Sequence, residues 1–192
     1  MRTHRFVAGT CVALMCVAGL ALAAETNVTS GPQVGTKVPG PFHPLNINGA
    51  KAGEKNCLYC QNGANPVAMV FARDVSEPLT KLIKELDSCT AKHGDAKMGS
   101  FVVFLSDEES LAKQLKEVAD KEKLQHTVLA IDNSAGPQNY KVAKDADVTV
   151  IFYNQRKVEA NHAFKKGELN DKAIDAIMAD VKKILPDKKG DK

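Results

Sequence analysis

Residues 66–89 read PVAMVFARDVSEPLTKLIKELDSC and contain the strand and the helix that decide the fold. The run from Val67 to Ala72 is wholly apolar, which is typical of a strand covered on both faces of a sheet. Ser76 can cap a helix, and Pro78 is tolerated in a first turn. The apolar residues that follow recur at spacings of three and four, which predicts an amphipathic helix. They are Leu79, Leu82, Ile83, Leu86 and Cys89.

The same alternation continues to the end of the chain. Apolar runs predict further strands at residues 100–105, 127–131, 148–153 and 157–164. Ser106 and Glu109 predict a capping box for a middle helix, and Asn170 predicts the cap of a last one. A short helical piece is predicted around residues 140–143. We therefore expect an α/β domain with a mostly parallel sheet, an antiparallel edge hairpin and helices on both faces.

The N-terminus has the pattern of a secretory signal peptide over residues 1–23. Arg2 and Arg5 precede an apolar run that ends in the small-residue motif Ala21-Leu22-Ala23. The alternative is that this segment stays uncleaved and acts as a membrane anchor. After it, no stretch of the sequence is long and apolar enough to span a bilayer. We expect an exported protein, periplasmic or extracellular. In the rest of the chain we expect a flexible segment at residues 24–33 and a domain at residues 34–186, which opens with an irregular Pro-rich arm. Residues 187–192 are expected to form a disordered tail.

Charge excludes one class of partner. The chain has 26 Lys plus Arg and 23 Asp plus Glu, and losing Arg2 and Arg5 with the signal leaves a net charge near 24 − 23 = +1. A nucleic-acid-binding domain is typically strongly basic, so no nucleic-acid partner is expected. The sequence contains no Gly-rich phosphate loop or Ser–His–Asp pattern, which leaves the cysteines Cys57, Cys60 and Cys89 as the candidates for chemistry.

Four stretches carry a resemblance to a known family: the arm at 34–42, the apolar runs at 66–71 and 101–107, and the hairpin strand at 148–154. Together they resemble the thioredoxin-like superfamily, and are closest to its peroxiredoxin (AhpC/TSA) branch. The resemblance implies a thioredoxin-like fold and thiol–disulfide chemistry with a protein thiol or disulfide partner. We expect no cofactor.

The sequence departs from that family where the family's active site lies. The family's cysteines follow the first central strand, but residues 73–80 contain no cysteine. The family's cis-proline would fall at Asp147 or Val148 and is missing as well. A typical peroxiredoxin activity is therefore not expected. The C-x-x-C pair, Cys57 and Cys60, stands before the strand instead of after it.

A spatial argument links this pair to a third cysteine. The predicted helix returns antiparallel to the strand, so the helix end and the strand start share one end of the sheet. We therefore expect that Cys57 and Cys60 could meet Cys89 and His93, at the end opposite the family's usual site.

Three hypotheses follow for the cysteines. In the preferred one, Cys57 and Cys60 are catalytic in thiol–disulfide exchange, with Cys89 resolving or structural, although residues 61–63 predict a turn and no helix to stabilise a thiolate. In the second, the protein is a non-catalytic binding module, and Cys57–Cys60, or either residue with Cys89, is a structural disulfide. In the third, Cys57, Cys60, Cys89 and His93 bind zinc or, with fewer ligands, copper.

Overall fold

The computed structural model describes residues 28–186, so the predicted signal peptide and tail lie outside the described residues. One sheet of six strands forms the centre: β1 (Leu45–Asn46), β2 (Val67–Ala72), β3 (Gly99–Leu105), β4 (Thr127–Asp132), β5 (Val148–Asn154) and β6 (Lys157–Phe164). The α-helices are α1 (Leu58–Asn62), α2 (Glu77–Lys92), α3 (Leu111–Glu122) and α4 (Asp171–Ala179). Within residues 28–186, no helix combines the length and apolar character needed to cross a membrane.

The sheet has the order β1-β4-β3-β2-β5-β6. Strands β2, β3 and β4 are parallel, whereas β1, β5 and β6 pair antiparallel to their neighbours. Gln155 and Arg156 form the tight turn between β5 and β6, and both have positive φ angles, 49° and 63°. Such a turn matches the twist of a hairpin. The predicted parallel centre and antiparallel edge hairpin are confirmed.

The central strand β2 divides the core in two. Its six side chains are at most 1% exposed. Ala68, Val70 and Ala72 pack with helices α2, α3 and α4, in a cluster we call the helical core. The alternate residues, Val67, Met69 and Phe71, pack with α1 and the N-terminal arm, in a cluster we call the arm core. Successive strand residues point to opposite faces, so each element around β2 belongs to one core or the other.

Capping was predicted correctly for two helices. The Ser76 hydroxyl accepts a hydrogen bond from the Leu79 N–H at 3.4 Å, at the start of α2. The Asn170 side chain accepts from the Ala173 N–H at 3.0 Å, at the start of α4. Side-chain oxygens at these positions satisfy N–H groups that have no partner within the helix.

Two local predictions were wrong. Ser106 accepts a hydrogen bond from the Glu108 N–H, 3.1 Å away, in a turn, and α3 begins only at Leu111. The predicted helical piece around residues 140–143 is irregular, because Asn139 and Lys141 have left-handed φ angles of 77° and 53°. A right-handed helix cannot continue through such residues.

The N-terminal arm is packed from the first described residues. Ser30 is buried, and its hydroxyl lies 2.7 Å from that of Thr149 on β5. The side chain of Asn161 on β6 donates to the Ser30 carbonyl at 2.9 Å. Further along, Phe42 packs edge-on against Tyr140, with 5.0 Å between ring centroids. The packed domain therefore begins before residue 34, within the segment that was expected to be flexible.

Candidate functional site

The C-x-x-C pair opens the short helix α1. Cys57 occupies the N-cap position with extended backbone angles (φ −85°, ψ 90°), and its Sγ accepts a hydrogen bond from the Cys60 N–H at 3.1 Å. Gly63 ends the helix with φ 59°, and its N–H bonds the carbonyls of Tyr59 and Cys60 at 3.2 Å. The prediction of a turn without a helix is corrected. Gly63, which was interpreted as part of a turn, is the sequence signal for the helix end, since glycine is the residue most often found just beyond a helix.

The two cysteines form a disulfide with very different access to solvent. The Cα atoms of Cys57 and Cys60 lie 5.2 Å apart, within the usual range for bonded cysteines. Cys57 is 8% exposed, whereas Cys60 is an exposed residue. Leu58 and Tyr59 face the arm core with Cys57, and the turn of the helix carries Cys60 to the outer side. Of the two cysteines, Cys60 is therefore the more accessible to solvent.

Tyr59, between the cysteines, anchors α1 to the edge hairpin. Its ring lies 6.4 Å from that of Tyr153 on β5, and the Arg156 guanidinium lies 5.1 Å from its centroid. The Arg156 Nε also donates to the carbonyl of Gly63 at 3.4 Å. These contacts hold the helix against the sheet through a buried ring and a cation–π interaction. Arg156 was not singled out from the sequence, because no local motif marks its contact.

A buried hydroxyl lies beneath this helix. Tyr153 has no exposed surface, and its hydroxyl has no hydrogen-bond partner among residues 28–186. Burial, together with the nearby Tyr140 and Tyr59, raises the pKa of Tyr153 above its ordinary value, so the phenol is neutral.

Cys89 and His93 do not join the pair, and the predicted four-residue arrangement is wrong. Cys89 packs against the helical core and has a free thiol, whereas Cys57 belongs to the arm core on the other face of the sheet. The predicted shared end of the sheet is correct, but α1 and α2 cover opposite faces of it. Burial raises the pKa of the Cys89 thiol, and its Sγ lies 3.5 Å from Nδ1 of His93. Within residues 28–186, no three His, Cys, Asp or Glu side chains are grouped so as to hold a metal ion.

Directly after β2, where thioredoxin-like proteins carry their cysteines, this chain has an arginine that fixes a loop. Arg73, directly after β2, donates hydrogen bonds to the carbonyls of Ser134, Ala143 and Ala146 at 3.0–3.1 Å. Burial, and to a lesser degree the charge of Asp74, raises the pKa of the Asp147 carboxyl in front of β5. None of the peptide bonds of residues 28–186 is cis. This end of the sheet therefore ties a loop to β2 and offers no thiol.

Comparison with known proteins shows the fold. No protein-family model matches the chain, and no curated protein matches it. Among solved structures, it is similar to a protein assigned as a disulfide isomerase from Bacteroides thetaiotaomicron (TM-score 0.62, 13% identity, covering 82% of this chain and 94% of that one). It is also similar to the thioredoxin domain of a thiol-disulfide oxidoreductase from Bacteroides vulgatus (TM-score 0.54, 12% identity, covering 78% of this chain and 99% of that one). A third similar structure is that of the peroxidoxin BcpB from Mycobacterium tuberculosis (TM-score 0.55, 14% identity, covering 82% of this chain and 98% of that one).

Proposed function

The chain has a thioredoxin-like fold, and from this premise we propose that it is an exported thiol–disulfide oxidoreductase acting through Cys57 and Cys60. The observation that carries the proposal is the pairing of one exposed and one buried cysteine in a disulfide at a helix start. Export is supported by the signal-peptide pattern of residues 1–23 and by the use of a disulfide, which persists in oxidising compartments. The partner is a protein that presents a dithiol or a disulfide.

The difference in exposure supports one assignment of roles to the two cysteines. A partner thiolate attacks Sγ of Cys60, so that a bond forms between the partner and Cys60 while the Cys57–Cys60 bond breaks. The electron pair stays on Cys57 as a thiolate, to which the Cys60 N–H already points. A second thiolate of the partner then attacks the partner sulfur of the mixed disulfide and releases Cys60. The partner is oxidised by two electrons, the pair is reduced, and the same steps reversed reduce a partner disulfide.

Hydrogen bonding favours this direction of attack. A thiolate is a better leaving group when its charge is stabilised, and the N–H of Cys60 donates to Cys57 at 3.1 Å. Attack at Cys57 would require a partner to reach a residue that is 8% exposed. It would also expel the Cys60 thiolate, which lacks this hydrogen bond.

The test separates the two cysteines in a Cys89→Ser background. After mild reduction, Cys60 should be alkylated rapidly and Cys57 slowly. The Cys57→Ser variant should trap mixed disulfides with an oxidised model peptide, since its Cys60 thiolate attacks the peptide disulfide and no Cys57 thiol remains to release the peptide. The matched Cys60→Ser variant should trap far fewer. Equal trapping by the two variants, or a pair that resists dithiothreitol until the protein unfolds, would contradict the proposal.

A structural role for the disulfide is the second candidate. The observation in its favour is that Leu58 and Tyr59, between the cysteines, are 1% and 7% exposed, so the disulfide closes a turn that contributes to the arm core. This candidate predicts that reduction and global unfolding occur together, whereas the first predicts reduction of a folded protein.

A further inference from the structure

We propose that Cys89, His93 and Met178 form a binding site for Cu(I), independent of the Cys57–Cys60 pair. The three side chains line one open cleft of about 330 Å³ between α2 and α4, with Glu85, Ser88 and Lys92 completing its walls. All three are partly buried, so the cleft presents two sulfurs and an imidazole at a surface that small ions can reach. No element of the arm core contributes to it.

The spacing of two of these ligands fits a shared metal ion. Cys89 and His93 are one helical turn apart, and Sγ lies 3.5 Å from Nδ1. With the bond lengths that zinc has to these ligands, about 2.3 Å to sulfur and about 2.0–2.1 Å to an imidazole nitrogen, angles from tetrahedral to trigonal place the two atoms about 3.5–3.8 Å apart. The observed separation of 3.5 Å lies at the short end of the range that a shared metal ion requires.

Coordination at Nδ1 leaves no unpaired backbone group. Nδ1 of His93 lies 2.9 Å from the carbonyl oxygen of Cys89. The same carbonyl accepts a hydrogen bond from the His93 backbone N–H at 3.1 Å. When Nδ1 turns its lone pair to a metal, this second bond keeps the carbonyl satisfied at the helix end.

The chemistry of the ligands selects the metal. Thiolate and thioether are soft ligands that favour Cu(I), whereas structural zinc is held by four Cys, His or carboxylate groups. No third His, Cys, Asp or Glu is grouped with Cys89 and His93 in the described part of the chain. Met178, on α4, supplies the third donor that Cu(I) accepts and zinc does not use.

Binding exchanges a proton for the metal and transfers no electron. The cation displaces the proton of the Cys89 thiol to solvent. The S–H bond breaks and the S–Cu bond forms. The side chains of Glu85 and Lys92 at the rim carry opposite charges, so the cleft does not repel a monovalent cation.

The experiment uses the full mature chain with its Cys57–Cys60 disulfide intact, as verified by mass spectrometry after anaerobic handling. Cu(I) is titrated against a chromophoric Cu(I) chelator, and X-ray absorption of the copper-loaded protein identifies its donor atoms. We expect one Cu(I) per chain with sulfur and nitrogen donors. Cys89→Ser, His93→Gln and Met178→Leu should each weaken the affinity by at least about tenfold, as changes around bound metals commonly do.

Matched controls change the same residue types elsewhere. His126→Gln and Met98→Leu, outside the cleft, should leave the affinity unchanged. A thermal melt of each metal-free variant shows whether it is folded, and His93→Gln at the helix end serves if Cys89→Ser does not fold. An affinity unchanged in any of the three site variants, or absence of Cu(I) binding by the folded parent, overturns the site. Since the disulfide remains closed throughout, the result does not depend on the proposed exchange activity.

Discussion

The Cys57–Cys60 disulfide is expected to contribute only modestly to stability. A structural disulfide would contribute more, so the size of this contribution distinguishes a site of thiol–disulfide exchange from a structural disulfide. Its sequence separation is three residues, so it removes little freedom from the unfolded chain. For a closed loop of about four residues, the loop-entropy relation gives about 6 cal/mol/K, or about 2 kcal/mol at 25 °C. A link from either cysteine to Cys89, which the sequence left open, would have closed a loop of about 30 residues and contributed about 3–4 kcal/mol.

The perturbation is Cys60→Ser in a Cys89→Ser background. Cys60 is exposed, so the change removes the disulfide without opening a cavity in the arm core. Urea unfolding followed by circular dichroism should show a free energy of unfolding lower by about 2 kcal/mol, with a cooperative transition. The parent measured in dithiothreitol is the control, and its midpoint should move to that of the variant.

Two results would refute this reasoning. A loss above about 4 kcal/mol, or an unfolded variant, exceeds what closing so short a loop can supply and would show that the disulfide holds α1 in place. A reduced parent that unfolds at the midpoint of the oxidised one would show that the disulfide makes no contribution, contrary to the calculation.

Three further predictions concern the scaffold. Arg73→Met should lower the free energy of unfolding by about 2–4 kcal/mol in urea titrations, since it removes three hydrogen bonds from a charged group to carbonyls; a loss within error would show that the loop does not need this anchor. Tyr153→Phe should stabilise the protein by about 1 kcal/mol, because it removes a buried hydroxyl without a partner; a lower melting temperature would contradict this. Burial alone would raise the pKa of Asp180, but hydrogen bonds from Lys183 and His162 lower this pKa overall. The Asp180 carboxylate therefore contributes to stability above the ordinary aspartate pKa, and this contribution is lost as the pH falls through the lowered pKa. Asp180→Asn should therefore flatten the pH dependence of thermal stability below about pH 4, and an unchanged acid profile would refute the assignment.

Local pattern was sufficient for most of the fold. The continuous apolar run of β2 predicted a fully covered strand, and all of its side chains are at most 1% exposed. Ser76 and Asn170 predicted helix starts, because their side chains satisfy N–H groups of the same turn. The hairpin followed from two apolar runs separated by a tight turn. These features depend on residues within a few positions of one another, so the sequence alone determines them.

Contacts between distant residues were decided only by tertiary structure. Helices α1 and α2 lie at the same end of the sheet but cover opposite faces of it. The face that each helix covers depends on how the chain approaches β2. Cys89 is for that reason separated from Cys57, although sequence spacing allowed them to meet. The exposure of Cys60 and the burial of Cys57 likewise depend on packing of Tyr59 against β5 and on Arg156, almost a hundred positions along the chain. Which of the two cysteines is covered depends on residues far away in the sequence, so the C-x-x-C motif alone does not determine it.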